Sequence, residues 1–410
     1  MSNSWTPASW RTKRRTQGVE YDDCALLRKT LAELSKQPPL VAVSEIEDLK
    51  RRLAEAQSGR RFLLQGGDCC ERFDDCRPEI IAGKLDILLK MGQTIAAGYN
   101  RPVVHVGRIA GQYAKPRSAE IEVRGGASLP SYRGDMINLP EFTAEARRPD
   151  PRRLSSGYQI ASRTLHYIRA LRDGEYLQSV YGKSPGGRAE FFTSHEGLHL
   201  DYEESLTRLG SDGSAWYDTS THLPWLGHRT GAIDGAHVEF FRGIANPIGL
   251  KVGPTMTPDE LIALIGALDP CNEPGRLCVI HRFGVERIES CLPPLVEAVR
   301  RHGKTVLWCC DPMHGNTRLT RDNRKTRHFD HVLGELQAAF EIHAREGSIL
   351  GGVHFELTGE NVTECLGGPG GLSEADLGRA YLSDIDPRLN KEQALELAAA
   401  IARWTTERCG

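Results

Sequence analysis

The chain has 410 residues, of which 40% are hydrophobic and 26% are charged. A chain of this length and composition can bury a large core, which excludes a disordered protein and a small disulfide-stabilised domain. The 52 Lys and Arg nearly balance the 54 Asp and Glu. Without a basic excess to coat a phosphate backbone, we expect no nucleic-acid partner.

The sequence predicts a cytoplasmic protein without a membrane partner. No apolar run approaches the roughly 18 residues needed to span a bilayer. The basic start of the chain is not followed by the apolar stretch of a signal peptide. The 11 cysteines form neither a disulfide framework nor a CxxC pair, which favours a reducing compartment.

Residues 1–60 are predicted to form a helical extension, because Leu27, Leu31 and Leu34 recur at helical spacing. Residues 61–410 are predicted to form one catalytic domain, since no repeat of fixed period and no low-complexity linker divides them.

Within this domain, short apolar runs alternate with helix-like segments. One helix is predicted to start with Thr257 as cap, Pro258 in the first turn and Glu260 closing a capping box. Eight buried strands interleaved with helices predict an α/β fold, a (β/α)₈ TIM barrel, with a doubly wound open sheet as the alternative. A helical excursion is predicted over residues 143–187. The predicted strands are 61–65, 102–106, 189–192, 236–241, 248–252, 276–281, 305–310 and 349–357.

Reactive polar residues fall at or near the carboxyl ends of these predicted strands, where a barrel builds its active site. Arg229 alone precedes its predicted strand, the fourth. Many fixed cations at one mouth indicate anionic ligands, although each alone is as easily a solvated charge or an ordinary ion pair. The residues are Cys69, Arg108, Lys115, Arg117, Ser118, Arg229, Lys251, Arg282, His314 and Glu356.

Four of the polar residues form a candidate metal site with sulfur, nitrogen and oxygen donors: Cys69, His314, Glu356 and Asp386. Such a set suits a borderline divalent ion such as Mn, Co, Fe or Zn. Their spacing is no local metal motif, and a lone Cys or His is more often a core residue. The residues by themselves predict a metal-assisted enzyme acting on small phosphorylated anions.

Long, unusual segments of the chain resemble the class II (plant-like) 3-deoxy-D-arabino-heptulosonate 7-phosphate (DAHP) synthases. They are LLQGGDCCERF, VGRIAGQYAKPRS, LPSYRGDMIN, FTSHEGLHLDYEE, DGAHVEFFRGIANPIGLKVGP, CCDPMHGNT, GGVHFELTGENVTECLGG and DPRLN. The resemblance covers nearly the whole chain. It implies a TIM barrel with one divalent metal, Mn²⁺ or Co²⁺ ahead of Zn²⁺ or Fe²⁺. The implied reaction condenses phosphoenolpyruvate with erythrose 4-phosphate, the first step of aromatic biosynthesis.

The resemblance also assigns roles by motif. It implies Cys69, His314, Glu356 and Asp386 as metal ligands. Arg108, Arg229, Lys251 and Arg282 would bind phosphoenolpyruvate, while Lys115, Arg117 and Ser118 would hold the aldose phosphate. We expect Lys251, Arg108 and His314 to be catalytic, with Lys251 in proton transfer.

The sequence departs from the family pattern at three places. His228 stands where the family has a Glu near phosphoenolpyruvate, so a changed second substrate is an alternative. Ile385 replaces a Cys that could pair with Cys69, which removes a redox switch. His281 and Phe283 flank Arg282 where the family pattern SRMG has Ser and Met.

Several hypotheses about function follow from the resemblance and from the three differences from the family pattern. The leading one is a DAHP synthase whose compact chain resembles members dedicated to secondary metabolism. The alternatives are an aminated variant, a synthase for another aldose phosphate, and a binding protein that has lost catalysis. Retention of every inferred metal ligand argues against the last. We expect a homo-oligomer.

Overall fold

A closed barrel of eight parallel strands forms the centre of the computed structural model, which describes residues 5–173 and 190–409. Strand β1 pairs with β2 on one side and with β8 on the other, which closes the sheet. The predicted (β/α)₈ barrel is thereby confirmed, and the open sheet is excluded. The strands are β1 (Phe62–Gly67), β2 (Val103–Arg108), β3 (Phe192–Glu196), β4 (Leu223–Leu226), β5 (Ile248–Val252), β6 (Leu277–His281), β7 (Leu307–Cys310) and β8 (Leu350–Glu356).

Helices surround the barrel and cover the outer face of its strands. The predicted capping box forms, since Thr257 Oγ1 accepts from Glu260 N at 3.3 Å and Glu260 Oε2 accepts from Thr257 N at 2.9 Å. The helices are α1 (Cys24–Leu34), α2 (Val43–Gln57), α3 (Pro78–Tyr99), α4 (Ala144–Arg147), α5 (Arg152–Asp173), α6 (Leu200–Leu206), α7 (Ala236–Phe241), α8 (Pro258–Leu268), α9 (Ile288–Arg301), α10 (Phe329–Arg345) and α11 (Lys391–Cys409).

Within the part of the chain that the structure describes, three two-stranded hairpins lie in the loops of the barrel. Their strands are Ile121–Arg124 with Ala127–Pro130, Thr207–Leu209 with Trp216–Asp218, and Arg318–Leu319 with Lys325–Thr326. The first and third contribute residues to the surroundings of the cavity described below.

The prediction of the fourth strand was wrong. Residues 236–241 form helix α7, and the fourth strand is β4, whose sequence is LPWL. A short apolar run is compatible with either structure, and Pro224 weakens the strand signal of β4. The correction moves Arg229 from before the fourth strand to just after it, so it joins the other cations at the carboxyl end of the barrel.

The third predicted strand, 189–192, shares only Phe192 with β3. The rest of β3 is polar, with Thr193, Ser194 and His195 buried in the barrel, so an apolar pattern missed it. The predicted helical excursion is confirmed for α5, and residues 174–187 of it lie outside the described residues.

The N-terminal residues contact the barrel at both ends. Helix α2 places Leu49 and Leu53 in one buried cluster with Leu63 of β1 and Leu307 of β7, which seals the amino end of the barrel. The predicted boundary between residues 60 and 61 stays a prediction. Among the described helices, none has the length and apolar character that crossing a bilayer requires.

Candidate active site

A cavity of about 430 Å³ opens at the carboxyl end of the barrel strands. Ten of the twelve predicted site residues line it, and the other two, Cys69 and Glu356, are buried behind its wall. The lining residues predicted from the sequence are Arg108, Lys115, Arg117, Ser118, His228, Arg229, Lys251, Arg282, His314 and Asp386.

Three of the predicted metal ligands place their donor atoms together. One donor atom each from Cys69, Glu356 and Asp386 lies within 4.8 Å of the others. Burial and the Glu356 carboxylate raise the pKa of the Cys69 thiol to about 12. A buried thiol among carboxylates has the chemistry of a ligand for a borderline divalent ion.

His314 brings the fourth predicted ligand to the same place. Its Nε2 lies 3.1 Å from Glu356 Oε1, while its Nδ1 lies 2.7 Å from Asp311 Oδ2. A carboxylate on one imidazole nitrogen fixes the tautomer that leaves the other nitrogen as a lone-pair donor. Asp311 therefore orients His314, a role that sequence reasoning missed.

The ammonium of Lys115 lies among these donors. Its Nζ is 3.1 Å from Cys69 Sγ, 2.8 Å from Glu356 Oε1 and 3.4 Å from Asp386 Oδ2. A cation at this point shows that the donor set is complementary to positive charge. Lys115, which the resemblance groups with Arg117 and Ser118, thus contacts three of the candidate metal ligands.

Other cations support the ligand carboxylates from outside. Arg108 Nη2 donates to Glu356 Oε1 at 3.0 Å, and Arg327 Nη2 donates to Glu356 Oε2 at 2.7 Å. Lys325 Nζ donates to Asp386 Oδ1 at 2.7 Å. Arg327 and Lys325 belong to a loop after β7 with no motif of their own, so sequence reasoning missed them.

Two cations of the cavity form no salt bridge with any described residue, Arg229 and Arg282. Arg282 Nη2 donates to the His314 carbonyl at 3.0 Å, and its Nε is buried without a hydrogen-bond partner among the described residues. Arg229 Nη2 donates to Ser118 Oγ at 2.7 Å. Unpaired guanidiniums at one cavity wall are suited to an anionic ligand.

Lys251 and Glu196 are buried ionisable groups at the same cavity. Burial lowers the pKa of Lys251 to about 8, although the carboxylate of Asp311 contacts its ammonium. Burial also raises the pKa of Glu196, whose Oε1 has no partner among the described residues. The pKa of Lys251 suits this residue to proton transfer near neutral pH. Glu196 ends β3, which the predicted strand missed.

The departures from the family pattern fall into two groups. His228 lies in the cavity wall with its imidazole over Gly253. Partial burial and then the guanidiniums of Arg282 and Arg229 lower its pKa. By contrast, His281 and Phe283 stack on each other away from the cavity, with ring centroids 5.6 Å apart.

Ile385 packs in one buried cluster with Cys69 and Tyr132. The cysteines whose side chains the structure describes are free thiols, and Ile385 supplies an apolar contact to the Cys69 side of the donor set.

Comparisons with known proteins show the family of the chain. The model of the Class-II DAHP synthetase family matches residues 5–183 and 181–402. A Neurospora crassa protein named phospho-2-dehydro-3-deoxyheptonate aldolase is 43% identical, with 97% of this chain and 94% of that protein covered. A Streptomyces coelicolor protein of the same name is 44% identical over 96% of each chain. A protein named phospho-2-dehydro-3-deoxyheptonate aldolase AroG from Mycolicibacterium smegmatis is 44% identical, covering 95% of this chain and 92% of its own.

The family match spans nearly the whole chain, and the relatives are far above the identity at which a shared family is in doubt. With the closed barrel and the cavity at its carboxyl end, these findings establish that the chain is an enzyme of the class-II DAHP synthetase family.

Proposed function

We propose that the protein condenses phosphoenolpyruvate with erythrose 4-phosphate to give DAHP and inorganic phosphate. The proposal rests on one observation. A single cavity contains two guanidiniums that form no salt bridge with a described residue, those of Arg229 and Arg282, together with a buried set of sulfur, nitrogen and oxygen atoms that could bind a metal ion. The family match and the names of the relatives support the same reaction.

The proposed metal ligands are Cys69, His314, Glu356 and Asp386, with Mn²⁺ or Co²⁺ as the proposed ion and Zn²⁺ and Fe²⁺ as ions that the same donor set admits. A bound divalent ion supplies Lewis-acid polarisation of the aldehyde oxygen. The two carboxylates limit the net charge of the site, and Asp311 holds the His314 ring in its donor tautomer.

Substrate binding is proposed to rest on the cations. Arg282 and Arg229 hold the phosphate and carboxylate of phosphoenolpyruvate with Arg108 and Lys251, while Arg117 and Ser118 hold the phosphate of the aldose. Fixing both reactants in register brings C3 of the enol to the aldehyde carbon, so that the C–C bond forms. Water then adds at C2, and the C2–O bond breaks to release phosphate.

Proton transfer is assigned to the buried groups that face the cavity. Lys251, with its pKa of about 8, protonates the developing alkoxide from the aldehyde or takes a proton from the attacking water. Glu196 is the second candidate for the water proton, because burial raises the pKa of its carboxyl and so makes the carboxylate a stronger base.

The test is phosphate release from phosphoenolpyruvate by purified protein with added Mn²⁺ or Co²⁺ and erythrose 4-phosphate. We expect equal amounts of phosphate and a seven-carbon product. Turnover only with another aldose phosphate, or only with an imino-sugar phosphate, would move the assignment to that acceptor. No phosphate release with any of them would refute catalysis and favour a binding protein. Sizing of the same preparation tests the proposed homo-oligomer.

His228 favours the alternative of a different acceptor, and His228→Glu tests it. The lowered pKa of the His228 imidazole places its protonation on the acid side of neutrality, which should give the wild-type pH profile of kcat/KM an inflection there. We expect the Glu variant to retain turnover but to lose this inflection. The measurement is the pH profile of kcat/KM with several aldose phosphates. Thr255→Val, which removes the 3.4 Å contact to His228 Nε2 without a change of charge, is the control. Superimposable profiles and equal acceptor preferences would show that the residue is silent.

A further inference from the structure

The segment of residues 14–18, here called the N-terminal strap, runs along the rim of the cavity. It is anchored at one end by the backbone, where Arg14 O accepts from Ala236 N at 2.9 Å. Before it, the Trp10 side chain is buried and donates to Glu204 Oε2 at 2.8 Å. The strap is thus tied to the barrel on the side where the loop after β4 carries Arg229.

The side chain of Gln17 forms both of its hydrogen bonds with one residue of the cavity. Gln17 Oε1 accepts from Arg117 N at 2.9 Å, and Gln17 Nε2 donates to Arg117 O at 3.2 Å. One carboxamide therefore fixes both backbone polar groups of Arg117. Gln17 lies 100 residues away from Arg117 along the chain, so this contact is a tertiary one.

The strap also holds the second cation of this wall. Thr16 Oγ1 donates to Arg229 O at 3.3 Å, and the Arg229 side chain donates to Ser118 Oγ at 2.7 Å. Arg117 and Arg229 come from different barrel loops, and consecutive strap residues bind the backbones of both.

Gln17 holds an unfavourable backbone conformation to make these contacts. Its φ is 55°, in the left-handed region that residues with a Cβ rarely adopt. The Arg133 guanidinium stabilises it by donating to Gln17 O at 2.5 Å and to Gly18 O at 2.8 Å. A non-glycine residue kept there by its surroundings is more common at functional sites than elsewhere.

The charge at this wall shows what Arg117 is placed for. Its guanidinium shares the single carboxylate of Glu122 with Arg124 and Arg147. One carboxylate does not neutralise three guanidiniums, so positive charge remains beside Ser118 and Arg229. This surplus is matched to a phosphate dianion.

We propose that Gln17 is a positioning residue that sets the affinity of the site for the phosphate group of the aldose substrate by fixing the backbone of Arg117. The inference rests on the proposed function, because it requires an aldose phosphate as second substrate. Gln17 touches no reacting atom and acts through Arg117.

The experiment compares Gln17→Ala, Gln17→Asn and Thr12→Ala with the wild type. Asn tolerates the left-handed conformation but is one methylene too short to reach both groups of Arg117. Thr12→Ala removes a hydroxyl bond to Ser9 O in the same N-terminal segment away from Arg117. Initial rates are measured with erythrose 4-phosphate and with unphosphorylated erythrose, each at varied phosphoenolpyruvate.

Loss of two neutral hydrogen bonds should raise KM for erythrose 4-phosphate about tenfold in both Gln17 variants. We expect KM for phosphoenolpyruvate, kcat/KM for erythrose and all constants of Thr12→Ala to stay near wild type. A purely structural role would instead change the two aldoses equally.

The inference would be overturned by equal losses with both aldoses, by unchanged kinetic constants, or by wild-type behaviour of Gln17→Asn. Loss of the folded state in both Gln17 variants, measured by circular dichroism, would also overturn it. These results leave the proposed function standing as long as the wild type releases phosphate with erythrose 4-phosphate. A wild type that releases none refutes the proposed function first.

Discussion

Chelation of the divalent metal is expected to abolish turnover, and Cys69→Ala is expected to lower metal affinity by at least about a hundredfold. Loss of a partner that merely orients a ligand costs up to about a hundredfold, and Cys69 is the soft donor of the set. Lys115 and Asp386 lie beside it at 3.1 and 3.6 Å, but neither an ammonium nor a carboxylate replaces a thiolate.

The measurement is metal content after dialysis, together with phosphate release before and after metal is restored. Cys70→Ala is the matched control, because Cys70 is the adjacent cysteine and its thiol points to Glu71 O at 3.9 Å rather than into the donor set. Near-UV circular dichroism checks that both variants fold. Full turnover in excess chelator, or equal metal content in the two variants, would refute the assignment.

Arg282→Lys is expected to lower kcat/KM for phosphoenolpyruvate by about ten- to a hundredfold, the equivalent of one charged hydrogen bond of about 1.5–3 kcal/mol. The guanidinium of Arg282 is held by the His314 carbonyl and has a buried Nε without a described partner. A planar fork binds a carboxylate or phosphate through two parallel bonds, whereas an ammonium acts as a point charge.

Arg229→Lys should show a loss of the same kind, since Arg229 also forms no salt bridge with a described residue. Arg287→Lys is the control, because Arg287 lies outside the residues that line the cavity. Steady-state rates at varied phosphoenolpyruvate measure the effect. Unchanged kcat/KM in both Arg282→Lys and Arg229→Lys would show that these guanidiniums do not bind this substrate.

The sequence by itself determined the barrel and the residue types of its site. Parallel strands covered on both faces are continuous apolar runs such as Leu307–Cys310, and the cap at Thr257 depends on residues three apart. Cys69, His314 and Glu356 could be named because each follows or ends such a run. The apolar strand pattern and the capping box both involve only residues that are close together in sequence, so the sequence alone shows them.

Only the tertiary structure decided the points that depend on distant contacts. β4 is a strand because β3 and β5 pair with it, although its own four residues include a proline. The ion pairs of the cavity cations depend on where separate loops meet. The same is true of the position of the Asp311–His314 pair relative to the other candidate metal ligands.

The contact between Gln17 and Arg117 spans 100 residues, and it is made by a glutamine that no pattern distinguishes from a surface residue. Periodicity describes which face of an element is buried, but it contains no information on which side chains from different loops meet above the barrel. Folding brings them together, because closure of the sheet directs the carboxyl ends of all eight strands toward one cavity.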